Sequence, residues 1–223
     1  MSIKQKKYKF AIIATDIAIL SIIKNELHVL LIKMNKVPYK DYWALPGGLV
    51  GPKETVDEVA KRHLYDKTGL KNIYLEQLYT FSEVDRDPFG RVVSVGYFAL
   101  IPNTKIGSKL IKDTNWFLVK DLPELAYDHK KILNIATQRL RSKLSYTNIV
   151  YGLMPQEFTL SNLQNVYETI LNQKIDKRNF RKKLAVLNLV ERVGKIQKGF
   201  SHRPAELYKF KNKKIQFVNI LSS

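Results

Sequence analysis

The tightest constraint lies between Tyr42 and Leu70. The apolar run "YWALPGGLV" is broken by Pro46-Gly47-Gly48, so a strand entering there must stop and restart. The next stretch, "ETVDEVAKRHLYDKTG", switches to helical spacing, with Val56, Val59, Ala60, His63 and Leu64 on one side. Glu54, Asp57 and Glu58 crowd the start of this helix, where its dipole favours negative charge, and Gly69 stands where a helix stops. A strand, a glycine-rich break and an amphipathic helix in that order call for a mixed α/β fold.

The flanking segments agree. "FAIIATDIAILSI" and "HVLLIKM" are rich in β-branched and apolar residues and predict two strands joined at "KNE". "RVVSVGYFALI" predicts another strand, and "TNWFLVKDLPEL" a short strand and a turn. "DHKKILNIATQRLRSKL" predicts a second helix, with Ile132, Leu133, Ile135, Ala136 and Leu140 apolar. These elements assign residues 1–146 to one α/β domain and residues 147–223 to a second.

Charge separates the two parts. The chain carries a net charge of +18, and half of it sits on residues 147–223, about a third of the length. A field of that sign favours polyanions, nucleic acid before anionic lipid. Cysteine is absent, which excludes disulfides, thiolate metal sites and cysteine nucleophiles. No run of ~18 apolar residues predicts a membrane span. The basic start is followed by an apolar run broken at Asp16, without a small-residue cleavage site, so a cytoplasmic protein is expected.

The second domain changes pattern. "TLSNLQNVYETILNQ" predicts a helix with Leu160, Leu163, Val166, Tyr167 and Ile170 on one stripe, and Thr159 or Ser161 as its cap. Asp176 caps the next helix, "KRNFRKKLAVLNLV", whose buried stripe is Phe180, Leu184 and Leu187. "LVERVG" and "AELYKFK" follow as two strands around the basic loop "KIQKGFSHRP". Helix, turn, basic helix and β-ribbon is the order of a winged helix-turn-helix. Lys177, Arg178 and Asn179 fall in the first turn of the second helix, where recognition helices meet base edges, with Arg181 and Lys182 one turn on. Arg reads guanine and Asn reads adenine in the major groove. Lys198, Ser201, His202 and Arg203 in the ribbon loop suit phosphate or minor-groove contact. With Thr159 and Ser161 at the start of the first helix, these are the candidate DNA-binding residues.

Gly48 to Leu70 resembles the Nudix box: Gly, five residues, Glu, seven residues, Arg-Glu, an apolar residue, any residue, Glu-Glu, any residue, Gly and an apolar residue. Gly48, Glu54, Arg62, Leu64, Gly69 and Leu70 match in register, after a typical "WALPGG" entry. The resemblance implies a Nudix α/β/α sandwich over roughly residues 8–143. Nudix enzymes hydrolyse nucleoside diphosphates linked to another group, using box carboxylates to hold Mg²⁺, which activates water. The three corresponding positions here are His63, Asp66 and Lys67. Three negative charges become about zero, so the expected outcome is loss of hydrolysis, with no catalytic residue, metal ligand or cofactor assigned.

The whole chain resembles the NrtR family of Nudix-related transcriptional regulators. "DRDPFGRVVSV", "DKRNFRKK" and "HRPAELYKF" carry the resemblance, and both domains stand in the family's order. It implies a homodimer on palindromic double-stranded operator DNA, acting as a repressor. The implied effector is ADP-ribose or a related nucleotide of NAD metabolism, or a pentose such as arabinose in the sugar-responsive branch. Trp43, Arg62, Arg86 and Arg91 are the candidate effector contacts: Trp43 for stacking, the arginines for phosphate or carboxylate. Arg62 equally suits a structural ion pair. The alternative is an active Mg²⁺-dependent Nudix hydrolase of ADP-ribose-like substrates.

Overall fold

Strand β1 (Ile12–Ile23) is the axis of the first domain in a computed structural model that describes residues 10–107, 111–197, 205–218 and 220. Its alternation decides the layers. Ile17 and Ile19 face helix α1 (Val56–Thr68), while Ala18, Leu20 and Ile22 face helix α2 (His129–Tyr146). The sheet is thereby covered on both sides, an α/β/α sandwich.

Strand β2 (Glu26–Lys33) returns antiparallel to β1 through a turn in which Lys24 and Asn25 take positive φ. Strands β3 (Trp43–Ala44) and β4 (Gly47–Leu49) are the two halves of the broken run; β3 pairs with β2 and β4 with β1. Strand β5 (Tyr74–Phe81) lies at the edge, antiparallel to β6 (Val92–Leu100), which runs parallel to β1. Strand β7 (Thr114–Leu118) pairs with β2.

Strand β5 is missing from the sequence-based expectations. The register shifts between Gln77 and Tyr79, and only Leu78 and Phe81 are buried, so the alternation of a half-buried strand is lost. Helix α1 is fixed at both ends. Thr55 and Glu58 form a capping box, and Gly69 closes it in the left-handed conformation with φ 68°.

Helix α2 ends at Tyr146, and a 3-10 turn (Ile149–Gly152) leads into the second domain. Gly152 presses this turn onto β6, where a Cβ would sit 3.0 Å from Leu100 Cβ. Helix α3 (Leu160–Leu171) is capped by Thr159, and helix α4 (Lys177–Leu187) by Asp176, whose carboxylate accepts from the Asn179 N–H at 2.8 Å. Asn172 and Asn188 end the two helices in left-handed conformations. Strands β8 (Val190–Gln197) and β9 (Ala205–Phe210) form the ribbon, and Phe158 adds a bridge to Tyr208.

One hydrophobic core runs through both domains, from Ala18 and Leu20 through Ile132 and Leu140 to Tyr167, Phe180 and Phe210. Polar contacts reinforce the joint. Arg141 Nε donates to the Ile170 carbonyl at 3.0 Å, and Thr169 Oγ1 to the Asn25 carbonyl at 3.1 Å. The segment after β9 folds back on α2, where the Val218 N–H donates to the Tyr146 carbonyl. Among the described residues no helix is long and apolar enough to cross a membrane.

Gly47 is where β4 is allowed to approach β1. A Cβ there would collide with the Thr15 carbonyl and lie 2.6 Å from Asp16 Oδ1. Gly47→Ala is expected to lower stability by about 1–3 kcal/mol or more, since backbone has to move, which a shifted urea midpoint will show.

Candidate functional site

The break between β3 and β4 leaves a cavity of about 140 Å³ at the mouth of the sandwich. Ala14, Met34, Leu49, Arg86, Tyr127 and His129 are among the residues around it. Beneath it lies a buried polar knot. Asp16 points from β1 to the α2 side of the sheet, where Ser94 Oγ donates to its Oδ2 at 2.6 Å. Arg86, from the loop between β5 and β6, donates through Nη2 to the same oxygen at 3.2 Å. The other edge of the guanidinium grips Asp128, just before α2, with Nε to Oδ2 at 3.1 Å and Nη2 to Oδ1 at 2.7 Å. His129 Nε2 lies 3.3 Å from Asp16 Oδ1, while its Nδ1 accepts the Leu45 N–H, so the ring proton faces Asp16.

Burial alone would raise the Asp16 pKa. His129, Ser94 and Arg86 together outweigh it and hold the group at about 2. The Arg86 side chain is only 3% exposed. Its Nη1 has no partner among the described residues, although Arg86 borders the cavity.

The four candidate effector contacts are not brought together. Arg86 borders the cavity. Arg91 instead braces the loop that carries Arg86, donating from Nη1 to the Ser82 and Glu83 carbonyls at 3.0 and 3.1 Å. Trp43 packs edge-on against Phe117, with ring centroids 4.6 Å apart, and its backbone bonds Glu124 and Ala126, ahead of Tyr127 and Asp128. Arg62 is exposed and bound to Glu54 through both carboxylate oxygens, at 2.9 and 3.0 Å, which is the ion-pair reading of this residue. The residues that sequence reasoning missed are Asp16, Ser94, Asp128 and His129. The signal for Asp16 was available: one carboxylate inside an apolar strand, at a position facing the core.

The box itself does not fit a hard divalent cation. Glu54 is spent on Arg62. His63 is half-buried with its ring against Gly48, where a Cβ would lie 2.7 Å from Nε2. Burial, then the Arg62 charge, lower its pKa below the usual imidazole value. Asp66 is exposed, and Lys67 borders a small crevice with Leu30 and Trp116. Among the described residues no three His, Asp or Glu side chains converge as a metal site.

On the second domain, Phe180 and Leu184 turn α4 inward, and Lys177, Arg178, Asn179, Arg181 and Lys182 are all exposed. Thr159 is buried, its hydroxyl accepting the Asn162 N–H, and so serves the cap; Ser161 is exposed on the first turn of α3. Lys198, Ser201, His202 and Arg203 lie outside the described residues.

Arg86→Ala would strand the buried Asp16 and the partly buried Asp128, and is expected to cost about 3–5 kcal/mol in chemical denaturation. The Asp16 pKa falls on folding from 3.8 to about 2. Its contribution, roughly 2 kcal/mol, is therefore complete above pH ~4 and lost as pH falls towards 2. Asp16→Asn should flatten the stability profile in that window.

Comparison with known proteins gives concordant matches for both halves. Residues 14–135 match the NUDIX domain family, and residues 150–210 the NrtR DNA-binding winged helix domain family. The chain is 37% identical over 214 residues to the ADPR responsive transcriptional repressor NtrR of Acinetobacter baylyi, covering 93% of this chain and 85% of that one. It resembles the crystal structure of Shewanella oneidensis NrtR complexed with a 27mer DNA, with a TM-score of 0.83 and 29% identity over 89% of this chain and 93% of that one. The NUDIX domain of the same Shewanella oneidensis protein, complexed with ADP ribose, superposes with a TM-score of 0.54 at 29% identity, over 62% of this chain and 94% of that one.

Proposed function

The chain belongs to the NrtR family of Nudix-related transcriptional regulators, and from that premise we propose that it is an ADP-ribose-responsive repressor. The observation that carries this is the pairing of an exposed basic helix with a cavity bordered by a buried guanidinium. Arg178, Asn179, Arg181 and Lys182 project from α4 away from its core face. Such a helix enters a major groove, its first turn on base edges and its lysines on phosphate. The protein acts as a homodimer, whose two recognition helices meet half-sites near one helical turn apart, ~34 Å.

The effector is a diphosphate rather than a pentose. A free guanidinium N–H pair in a buried setting favours an oxyanion over a neutral sugar hydroxyl. The relative from Acinetobacter baylyi is ADPR responsive, and the sensor domain from Shewanella oneidensis has been captured with ADP ribose. The box no longer supports hydrolysis, because Glu54 is neutralised by Arg62, and His63 and Lys67 stand where Mg²⁺ needs carboxylates. ADP-ribose is thus bound without being consumed, and its occupancy lowers the affinity for operator.

Two tests follow from this reading. With the duplex best bound from a random-sequence library, Arg178→Ala or Arg181→Ala should cost about 1–3 kcal/mol in a gel shift and relax one base position. Unchanged affinity in both variants would contradict the recognition helix. Saturating ADP-ribose should lower operator affinity by about 5-fold or more, while chromatography detects no AMP at high protein and Mg²⁺ concentration. Turnover would favour the hydrolase reading.

A further inference from the structure

Asp128 precedes α2 at the position where an Asp side chain ordinarily accepts the first free N–H groups of a helix. Here it makes no side-chain cap bond. Its carboxylate is turned aside and held by Arg86 through both oxygens. The two carboxylates on Arg86 are not held alike. Asp16 is also bonded by Ser94 and faces His129, whereas among the described residues every side-chain hydrogen bond of Asp128 is to Arg86. Asp128 is also the more exposed of the two, at 14% against 10%. Meanwhile Arg86 Nη1 has no partner among the described residues, and Arg86 borders the cavity.

We infer that Arg86 and Asp128 form the relay that carries effector occupancy from the cavity into α2. This rests on the reading of the cavity as the effector site. An oxyanion on Nη1 would place a third negative group around one guanidinium. Repulsion between like charges in a poorly solvated site has to be relieved, and the singly anchored carboxylate is the one that yields. Asp128 then has a second place to go, onto the Lys130 N–H in the first turn of α2, since the His129 and Lys131 N–H groups already donate to the Ala126 and Asp128 carbonyls. The element therefore has two discrete arrangements: carboxylate on Arg86 with the helix uncapped by a side chain, or carboxylate on the helix with Arg86 given to the effector.

Helix α2 carries the change to the DNA-reading domain. Its Arg141 holds the end of α3 at the Ile170 carbonyl, and its last residue, Tyr146, leads into the 3-10 turn pressed on β6. Asp128 is thus a positioning residue that touches neither DNA nor, in this account, the effector.

Asp128→Asn and Asp128→Ser both retain a capping side chain but remove the charge that holds Arg86. Each should shift operator affinity without effector, by about 5-fold or more, in the direction and to the extent that saturating ADP-ribose shifts the wild type. ADP-ribose should then produce no further change in the variants, although calorimetry shows that they still bind it. Asp128→Glu, which keeps the charge, should restore the response. Far-UV circular dichroism and thermal unfolding check that each variant is folded. Operator affinity equal to wild type in both uncharged variants would overturn the relay, as would an intact ADP-ribose response in either. If wild type shows no heat with ADP-ribose, the effector reading fails, and the effector-free affinities of the variants still decide the relay.

Discussion

The guanidinium of Arg86 is the interaction on which the sensor depends. It ties together a strand in the middle of the sheet, the loop between β5 and β6 and the start of α2, by bonds to Asp16 and Asp128. Removing one partner from such a buried set leaves charge without compensation, whereas the complete set fixes one geometry. Several neighbours serve the same end. Arg91 braces the loop that delivers Arg86, Trp43 anchors the chain just ahead of Asp128, and Leu45 orients the His129 ring towards Asp16. Arg91 and Trp43 thus support the elements that carry Arg86 and Asp128, and Arg86 borders the cavity.

The box keeps its scaffold residues in place. The glycines remain because backbone packing needs them: Gly47 lets β4 lie against β1, and Gly48 leaves room for His63. Glu54 and Arg62 remain as an ion pair across the turn into α1. At the three positions where the Nudix box carries carboxylates stand His63, Asp66 and Lys67, a set with about zero net charge that suits a hard dication poorly.

Much of this was legible in the sequence. The helical period of α1, the capped pair α3 and α4, and the inward stripe of Phe180 and Leu184 follow from spacing alone, and the exposed face of α4 follows as their complement. Strand β5 was hidden because its bulge and edge position erase the alternation. The knot was hidden for another reason: Asp16, Arg86 and Asp128 are brought together only by the closing of the sheet, and no local pattern records a bond between residues so far apart in the chain. Arg86 was found as a phosphate-binding type, but the two carboxylates that share it were not. Of the candidate DNA contacts, Thr159 was recognisable as a cap, and its hydroxyl accepts the Asn162 N–H.

The central claim is that the cavity and the DNA-reading helix are two ends of one equilibrium. Linkage makes this reciprocal: the factor by which ADP-ribose weakens operator binding must equal the factor by which operator weakens ADP-ribose binding. Calorimetric titration of ADP-ribose into the free protein and into the protein saturated with operator duplex measures it directly. The expected affinity for ADP-ribose is about 5-fold or more weaker in the complex, matching the shift read from DNA binding. Equal affinity in the two titrations would contradict it.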